Sequence, residues 1–134
     1  MNVLVVEPYK KPYEKDIEPG LESLQEAVGG DIQAFYPFDE PVAVICNDEG
    51  KLIGLPMNRA LRDEDGAVYD VLCGTFIVTG LGEEDFCELS PELTELFKER
   101  YATPEQFITI GESITVLPYE IPDYPKPPKS DLER

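Results

Sequence analysis

Histidine and tryptophan are both absent from this chain of 134 residues. Imidazole is the usual base that activates a catalytic serine or cysteine, and it is also the commonest zinc ligand. Without it, no nucleophile in the sequence has an evident base, and zinc would depend on three scattered thiols. An enzyme is therefore the least favoured class of function. We expect no catalytic residue, no metal site and no cofactor.

Cysteines are few, and long hydrophobic runs are missing. Cys46, Cys73 and Cys87 are odd in number, form no C-x-x-C pair and lie in or beside apolar stretches. This pattern predicts buried free thiols in a reducing compartment. The first apolar run, residues 3–6, is too short for a signal peptide or a membrane span. The sequence therefore predicts a soluble, cytoplasmic protein that does not associate with membranes.

Basic residues are scarce. The chain has 11 lysines and arginines against 28 aspartates and glutamates, a formal net charge of −17 at pH 7. Such a surface repels phosphate backbones, so direct nucleic-acid binding is disfavoured, whereas proteins with basic grooves are attracted. Many acidic proteins carry this charge for solubility alone. Charge by itself thus leaves both interpretations open.

The remaining composition predicts one folded domain. A hydrophobic fraction of 42% is too high for intrinsic disorder, and the length suits one compact unit. The apolar and β-branched runs at residues 3–6, 32–36 and 42–46 predict strands. Helices are expected at residues 21–28, before Gly29 and Gly30, and after Ser90, which is a good N-cap preceding a proline. We expect an α+β fold, a mixed or antiparallel sheet with two short helices.

Finer local predictions follow from turn residues. Residues 47–50 are expected to form the turn of a hairpin whose second strand is residues 51–55. Residues 9–19 and 58–66 are expected to be polar connections, residues 68–81 one or two core strands, and residues 107–117 a last strand or edge segment. The domain is assigned to residues 1–117. The proline-rich residues 118–134 are expected to be an extended or disordered tail that the fold does not need.

Two loops that resemble ligand sites fail closer inspection. Residues 63–66 read Asp-Glu-Asp-Gly, but an EF-hand register around Gly66 places leucines, Leu61 and Leu72, where oxygen ligands are required. A tight turn stabilised by aspartate side chains is the preferred interpretation. The glycines Gly80 and Gly82 are followed by acidic residues and no P-loop lysine, so no phosphate loop is predicted there.

One segment opposes the global charge. The chain has few arginines, and Arg59 and Arg62 follow Lys51 closely, with Asn58 beside them. On a helical turn, both arginines would project to one side and hold a phosphate or carboxylate by bidentate hydrogen bonds. The alternative is that they pair with Asp63, Glu64 and Asp65 on a solvated surface. Aromatic side chains that would stack on a base are Tyr36 and Tyr69. As a surface residue, Arg59 is expected to contribute little to folding.

Several stretches together resemble a known family. They are PYEK at residues 12–15, LESLQEAVGG at 21–30, YPFDEPV at 36–42, CNDEGK at 46–51 and GLPMNR at 54–59. As a series they are similar to a domain of unknown function found in phages, plasmids and conjugative elements of Firmicutes, often near antirestriction genes. The resemblance covers residues 3 to about 100. It implies a small accessory protein of a mobile element directed against host defence, and it highlights the recurrent Asn-Arg pair, here Asn58 and Arg59.

These observations favour a non-enzymatic binding protein that captures a small anionic, nucleotide-type signal of host immunity. The expected ligand-binding residues are Asn58, Arg59, Arg62, Lys51, Tyr36 and Tyr69. The alternative is an acidic DNA mimic that occupies the basic groove of a restriction or CRISPR-type protein. The sequence identifies neither the ligand nor the target. It also leaves the oligomeric state open between a monomer and a homo-oligomer.

Overall fold

The computed structural model describes residues 1–121. It contains ten strands and two helices among these residues. The strands are β1 (Asn2–Val6), β2 (Tyr13–Asp16), β3 (Ile32–Phe35), β4 (Val42–Asn47), β5 (Met57–Arg62), β6 (Val68–Cys73), β7 (Phe76–Leu81), β8 (Phe86–Cys87), β9 (Glu105–Ile110) and β10 (Ser113–Pro118). The helices are α1 (Leu21–Val28) and α2 (Pro91–Arg100).

The centre of the fold is an antiparallel sheet. Its strand order is β2-β1-β7-β4-β3, with the short β8 paired to β7. Strands β5 and β6 form a separate two-stranded ribbon, and β9 and β10 form another. The predicted α+β class is thereby confirmed, with antiparallel pairing throughout the central sheet.

Both faces of the central sheet are buried, because successive side chains of a strand point to opposite sides. On one face, Val5, Ile45 and Ile77 pack with Leu24 and Val28 of α1. On the other face lie the intervening residues, which pack against α2 and the β5–β6 ribbon. This second cluster includes Leu4, Val6, Val44, Phe76 and Val78 together with Leu61, Leu72, Phe97 and Tyr101.

Both predicted helices are confirmed, together with their end signals. Helix α1 ends at Gly29, whose φ of 80° is left-handed and suits glycine. Helix α2 begins after Ser90, whose hydroxyl accepts a hydrogen bond from the Leu93 N–H, and Pro91 occupies the first helical position.

The predicted hairpin of residues 42–46 with 51–55 is wrong. Strand β4 pairs instead with β3 on one side and β7 on the other, so neither edge is left for a returning strand. Residues 48–54 form a loop with local hydrogen bonds, such as Leu55 N–H to the Gly50 carbonyl at 2.9 Å. Leu52 is 83% exposed, so the apolar residues of this segment do not form a core strand.

Two predicted polar connections contain strands. Residues 58–66 include most of β5, and residues 9–19 include β2. All four residues of β2 are exposed, and an exposed edge strand has no hydrophobic pattern to reveal it. The turn predicted at residues 63–66 is confirmed. Its Asp63 carboxylate accepts the N–H groups of Asp65 and Ala67, each at 2.9 Å, between β5 and β6.

The C-terminal part is a hairpin whose contacts extend beyond the predicted domain boundary. Strands β9 and β10 replace the single segment expected at residues 107–117. Pro118 still belongs to β10, the Tyr119 N–H donates to the Pro104 carbonyl at 2.8 Å, and the Tyr119 ring lies 4.9 Å from that of Tyr9. The rest of the predicted tail, residues 122–134, lies outside the described residues.

Cys46 and Cys73 are buried free thiols as expected, but Cys87 is exposed on the short strand β8. Within residues 1–121 no three acidic, cysteine or histidine side chains are grouped as metal ligands would be. None of the helices in that part of the chain has the length and apolarity needed to cross a membrane.

Candidate anion-binding site

The Asn58 side chain lies in the interior and has all its amide hydrogens engaged. Its exposure is 0%, and its Nδ2 donates to the carbonyl oxygens of Val6 at 2.9 Å and Gly74 at 2.8 Å. Its Oδ1 accepts a 2.8 Å bond from Arg59 Nη1. This amide ties β5 to β1 and to the turn between β6 and β7. Asn58 is therefore part of the framework beneath the site rather than a group presented to a ligand.

Arg59 is buried as well, with 1% exposure, so its predicted surface position in a polar crossover is wrong. Its Nη2 donates to the carbonyl oxygens of Lys10 and Tyr101, each at 2.8 Å. Among the described residues 1–121, none of its hydrogen-bond partners is a carboxylate. Burial lowers the pKa of Arg59, and the nearby negative charge of Glu105 opposes that change. The guanidinium anchors β5 to the end of α2 and to the segment after β1.

One donor of Arg59 is left over. Its Nε is buried and has no hydrogen-bond partner among the described residues 1–121. Arg59 also lines a cavity of about 200 Å³, which we call the arginine cavity. Its other lining residues are Pro37, Phe38, Ala60, Leu61, Arg62, Tyr69, Arg100, Tyr101, Thr103 and Glu105. Arg59 thus has a buried N–H donor without an acceptor and also lines a cavity.

The arginine cavity gathers positive charge. All three arginines of residues 1–121, Arg59, Arg62 and Arg100, line it, and Glu105 is the one acidic residue of the lining. Glu105 bridges two groups of β5: Oε2 accepts from Arg62 Nη2 at 2.7 Å, and Oε1 accepts the Ala60 N–H at 2.8 Å. The local balance is positive, in a chain whose formal net charge is −17.

Arg100 is positioned by aromatic rings. Its guanidinium carbon lies 4.5 Å from the centroid of Phe38 and 5.4 Å from that of Phe97. A cation–π contact uses the face of the guanidinium, so the N–H edge remains available to an acceptor. The residue is exposed at the last turn of α2. This arrangement suits a side chain that meets a ligand from solvent.

The other predicted site residues are only partly brought together. Tyr69 lines the arginine cavity, whereas Lys51 lies elsewhere, ion-paired with Asp70. Tyr36 is 58% exposed and is absent from the cavity wall. The helical turn assumed for Arg59 and Arg62 is absent, because both residues lie in strand β5. Arg59 is buried and Arg62 is exposed, so Arg62 reaches the cavity from the solvent side.

A second, larger cavity adjoins these residues. It measures about 890 Å³ and lies between the β5–β6 ribbon and the β9–β10 hairpin; we call it the apolar groove. Its lining includes Tyr9, Leu55, Met57, Tyr69, Phe107 and Ile114. Tyr69 lines both the groove and the arginine cavity.

Sequence reasoning missed Arg100, Glu105 and Phe38. These residues lie far from Arg59 in the chain, so no motif spacing connects them. Only the tertiary fold brings the end of α2, the start of β9 and the loop between β3 and β4 to one cavity with β5. The one signal for the site in the sequence was the scarcity of arginine, because a group of arginines is not expected by chance in a chain with so few. The assembled set offers hydrogen-bond donors and positive charge, the chemistry of anion recognition.

No curated protein and no solved structure matches the chain. A family model does match, over residues 1–102, which span β1 through α2 and include all three arginines of the cavity. The match confirms the resemblance found in the sequence, and its end agrees with the limit expected near residue 100. The chain belongs to the domain of unknown function DUF3846.

Proposed function

We propose that this protein is a non-enzymatic binding protein that captures a small anion of the phosphate class in the arginine cavity. The observation that carries the proposal is Arg59, a buried cation whose partners are all neutral and whose Nε lacks an acceptor within residues 1–121. A buried charge is costly unless it is compensated. An anion in the cavity would supply the missing charge.

The size of the cavity supports a small anionic group. About 200 Å³ is less than the roughly 300 to 1,000 Å³ typical of sites for whole drug-sized ligands. A phosphoryl group fits such a volume, with any larger portion of the ligand extending outside. Arg62 and Arg100 would meet the group from the solvent side by charge-assisted hydrogen bonds.

We extend the proposal to a biological role, on the mobile-element context that the sequence resemblance implies. If the protein serves a phage, plasmid or conjugative element, the captured anion would be a nucleotide-type signal of host immunity, removed by stoichiometric binding in the host cytoplasm. The negative surface would slow the encounter with such a ligand, but it acts weakly inside a local pocket, because exposed charges beyond about 8 Å are largely screened at physiological salt.

Titration with inorganic phosphate and pyrophosphate at low salt tests the proposal. We expect saturable 1:1 binding by calorimetry, and a shift of the Arg59 Nε–H signal in ¹⁵N NMR spectra. Arg100→Gln should weaken binding by about tenfold or more, the loss expected for one charge-assisted hydrogen bond.

Lys98→Gln is the matched control. Lys98 lies on the same helix and carries the same charge, but it pairs with Glu14 and Glu95 and is absent from the cavity wall. Its substitution should leave the affinity for phosphate unchanged. No saturable binding, or an equal loss in both variants, would rule out a specific site at these arginines.

Acidic mimicry of DNA is the second candidate, and the placement of the carboxylates favours it. None of the acidic residues among positions 1–121 is buried, and the turns at residues 63–65 and 83–85 each present three exposed ones. A basic DNA-binding protein of host defence would be the target. Reversing either acidic turn to lysine should then abolish inhibition of the target, whereas Arg100→Gln should not. The opposite pattern would exclude mimicry.

A further inference from the structure

The arginine cavity and the apolar groove differ in electrostatic character and have one lining residue in common. The cavity lining has three arginines and one glutamate. In the groove, the charged residues are Lys51 and Asp70, which pair with each other and leave the lining balanced. Tyr69 of β6 lines both spaces. A ligand that extends from one to the other therefore needs a negative end and an uncharged, largely apolar end.

We infer that the ligand is a nucleoside monophosphate, with its phosphate in the arginine cavity and its base against Tyr69 in the apolar groove. This inference rests on the proposed function. A nucleotide has the required division into an anionic and an aromatic part. Every base presents a π-face that stacks on an aromatic side chain, and Tyr69, 58% exposed, has its ring accessible.

The remaining groove lining suits a base and a sugar. Tyr9 and Phe107 add aromatic surface, while Leu55, Met57 and Ile114 add aliphatic surface. The paired carboxylate of Asp70 in β6 and the hydroxyl of Thr109 in β9 provide hydrogen-bonding groups in the groove lining. A volume of about 890 Å³ lies within the range of sites that enclose whole small ligands.

The test compares inorganic phosphate with adenosine, guanosine, cytidine and uridine 5′-monophosphates by calorimetry. We expect at least one nucleotide to bind more tightly than phosphate by about tenfold or more. Tyr69→Ala should remove that advantage, a loss of about 5- to 100-fold in nucleotide affinity as expected for one stacked base, and should lower the affinity for phosphate itself by a smaller factor. Tyr69→Phe should retain the advantage.

Tyr36→Ala is the matched control, because Tyr36 has the same exposure of 58% but lines neither the cavity nor the groove. It should bind nucleotides like the wild type. If phosphate binds and no nucleotide binds more tightly, the inference fails and the proposed function stands. A nucleotide advantage that survives Tyr69→Ala also overturns it. If phosphate does not bind at all, the proposed function fails first.

Discussion

The side chain of Arg59 donates a 2.8 Å hydrogen bond to the carbonyl oxygen of Tyr101, which is 42 residues later in the chain. Tyr101 follows the last residue of α2, where carbonyl groups lack partners within the helix. The same guanidinium group reaches the Lys10 carbonyl. Arg59 therefore connects three segments that no backbone pairing connects.

Replacing Arg59 with alanine should destabilise the protein strongly. The change leaves the buried Tyr101 carbonyl, the partly buried Lys10 carbonyl and the Asn58 Oδ1 without their donor, at a cost of about 3 kcal/mol in unfolding free energy. Urea unfolding measures this cost. Arg62→Ala is the control: it removes a partly exposed ion pair with Glu105 and should cost less than about 1 kcal/mol. Equal costs would show that Arg59 is not an anchor.

Glu105→Gln should strengthen phosphate binding. The amide oxygen of glutamine still accepts the Ala60 N–H, but the negative charge beside Arg62 disappears from the cavity wall. An incoming anion then meets three cations and no carboxylate of the lining, so we expect the affinity to rise several-fold at low salt. Calorimetry with inorganic phosphate measures the change. A decrease would place the anion away from this wall.

Alkaline pH should destabilise the fold. Burial raises the pKa of Cys46 to about 11 from 9.0 and that of Tyr101 to about 12 from 10.0. Because both pKa values are higher in the folded state, the folded state binds these protons more tightly. The stabilisation is complete below pH 9 and is lost as the pH rises towards 12. Urea midpoints recorded from pH 8 to 11 should fall, and Cys46→Ala should reduce the slope between pH 9 and 11.

Truncation after Leu117 should cost more than truncation after Ile121. The shorter chain loses Pro118, the Tyr119 hydrogen bond to Pro104 and the contact between the rings of Tyr119 and Tyr9. Together these contacts are worth about 1 to 2 kcal/mol. Urea unfolding of the two truncated chains and the full chain gives the difference. Equal stabilities would support the predicted domain boundary after residue 117.

Secondary structure could be predicted from the sequence where an apolar run or a residue that caps or ends a helix indicated it. Local sequence alone indicates the strands β1 and β4 through their apolar runs, the end of α1 through its αL glycine and the start of α2 through the Ser90 cap. Strand β5 has no such local signal, because two of its buried positions are occupied by Asn58 and Arg59, and polar residues predict exposure to solvent. Their burial depends on acceptors from β1, the segment around Lys10 and the end of α2, which only the tertiary fold brings near.

The candidate site was predictable to a similar extent. Arg62 was predicted from the scarcity of arginine, and Tyr69 as an aromatic side chain that could stack on a base; both line the cavity. Lys51 and Tyr36 do not. Lys51 lies in the loop of residues 48–54 and pairs with Asp70, and Tyr36 is exposed although its neighbours Pro37 and Phe38 line the cavity. Arg100 and Glu105 depend on where α2 and β9 pack.

The wall of the arginine cavity crosses the end of the family match at residue 102. The matched domain contributes its three cations, and the segment that follows contributes Thr103 and the single carboxylate, Glu105. If the cavity binds an anion as proposed, substitutions in that following segment, above all at Glu105, would change the affinity for the anion while the three arginines of the matched domain stay the same.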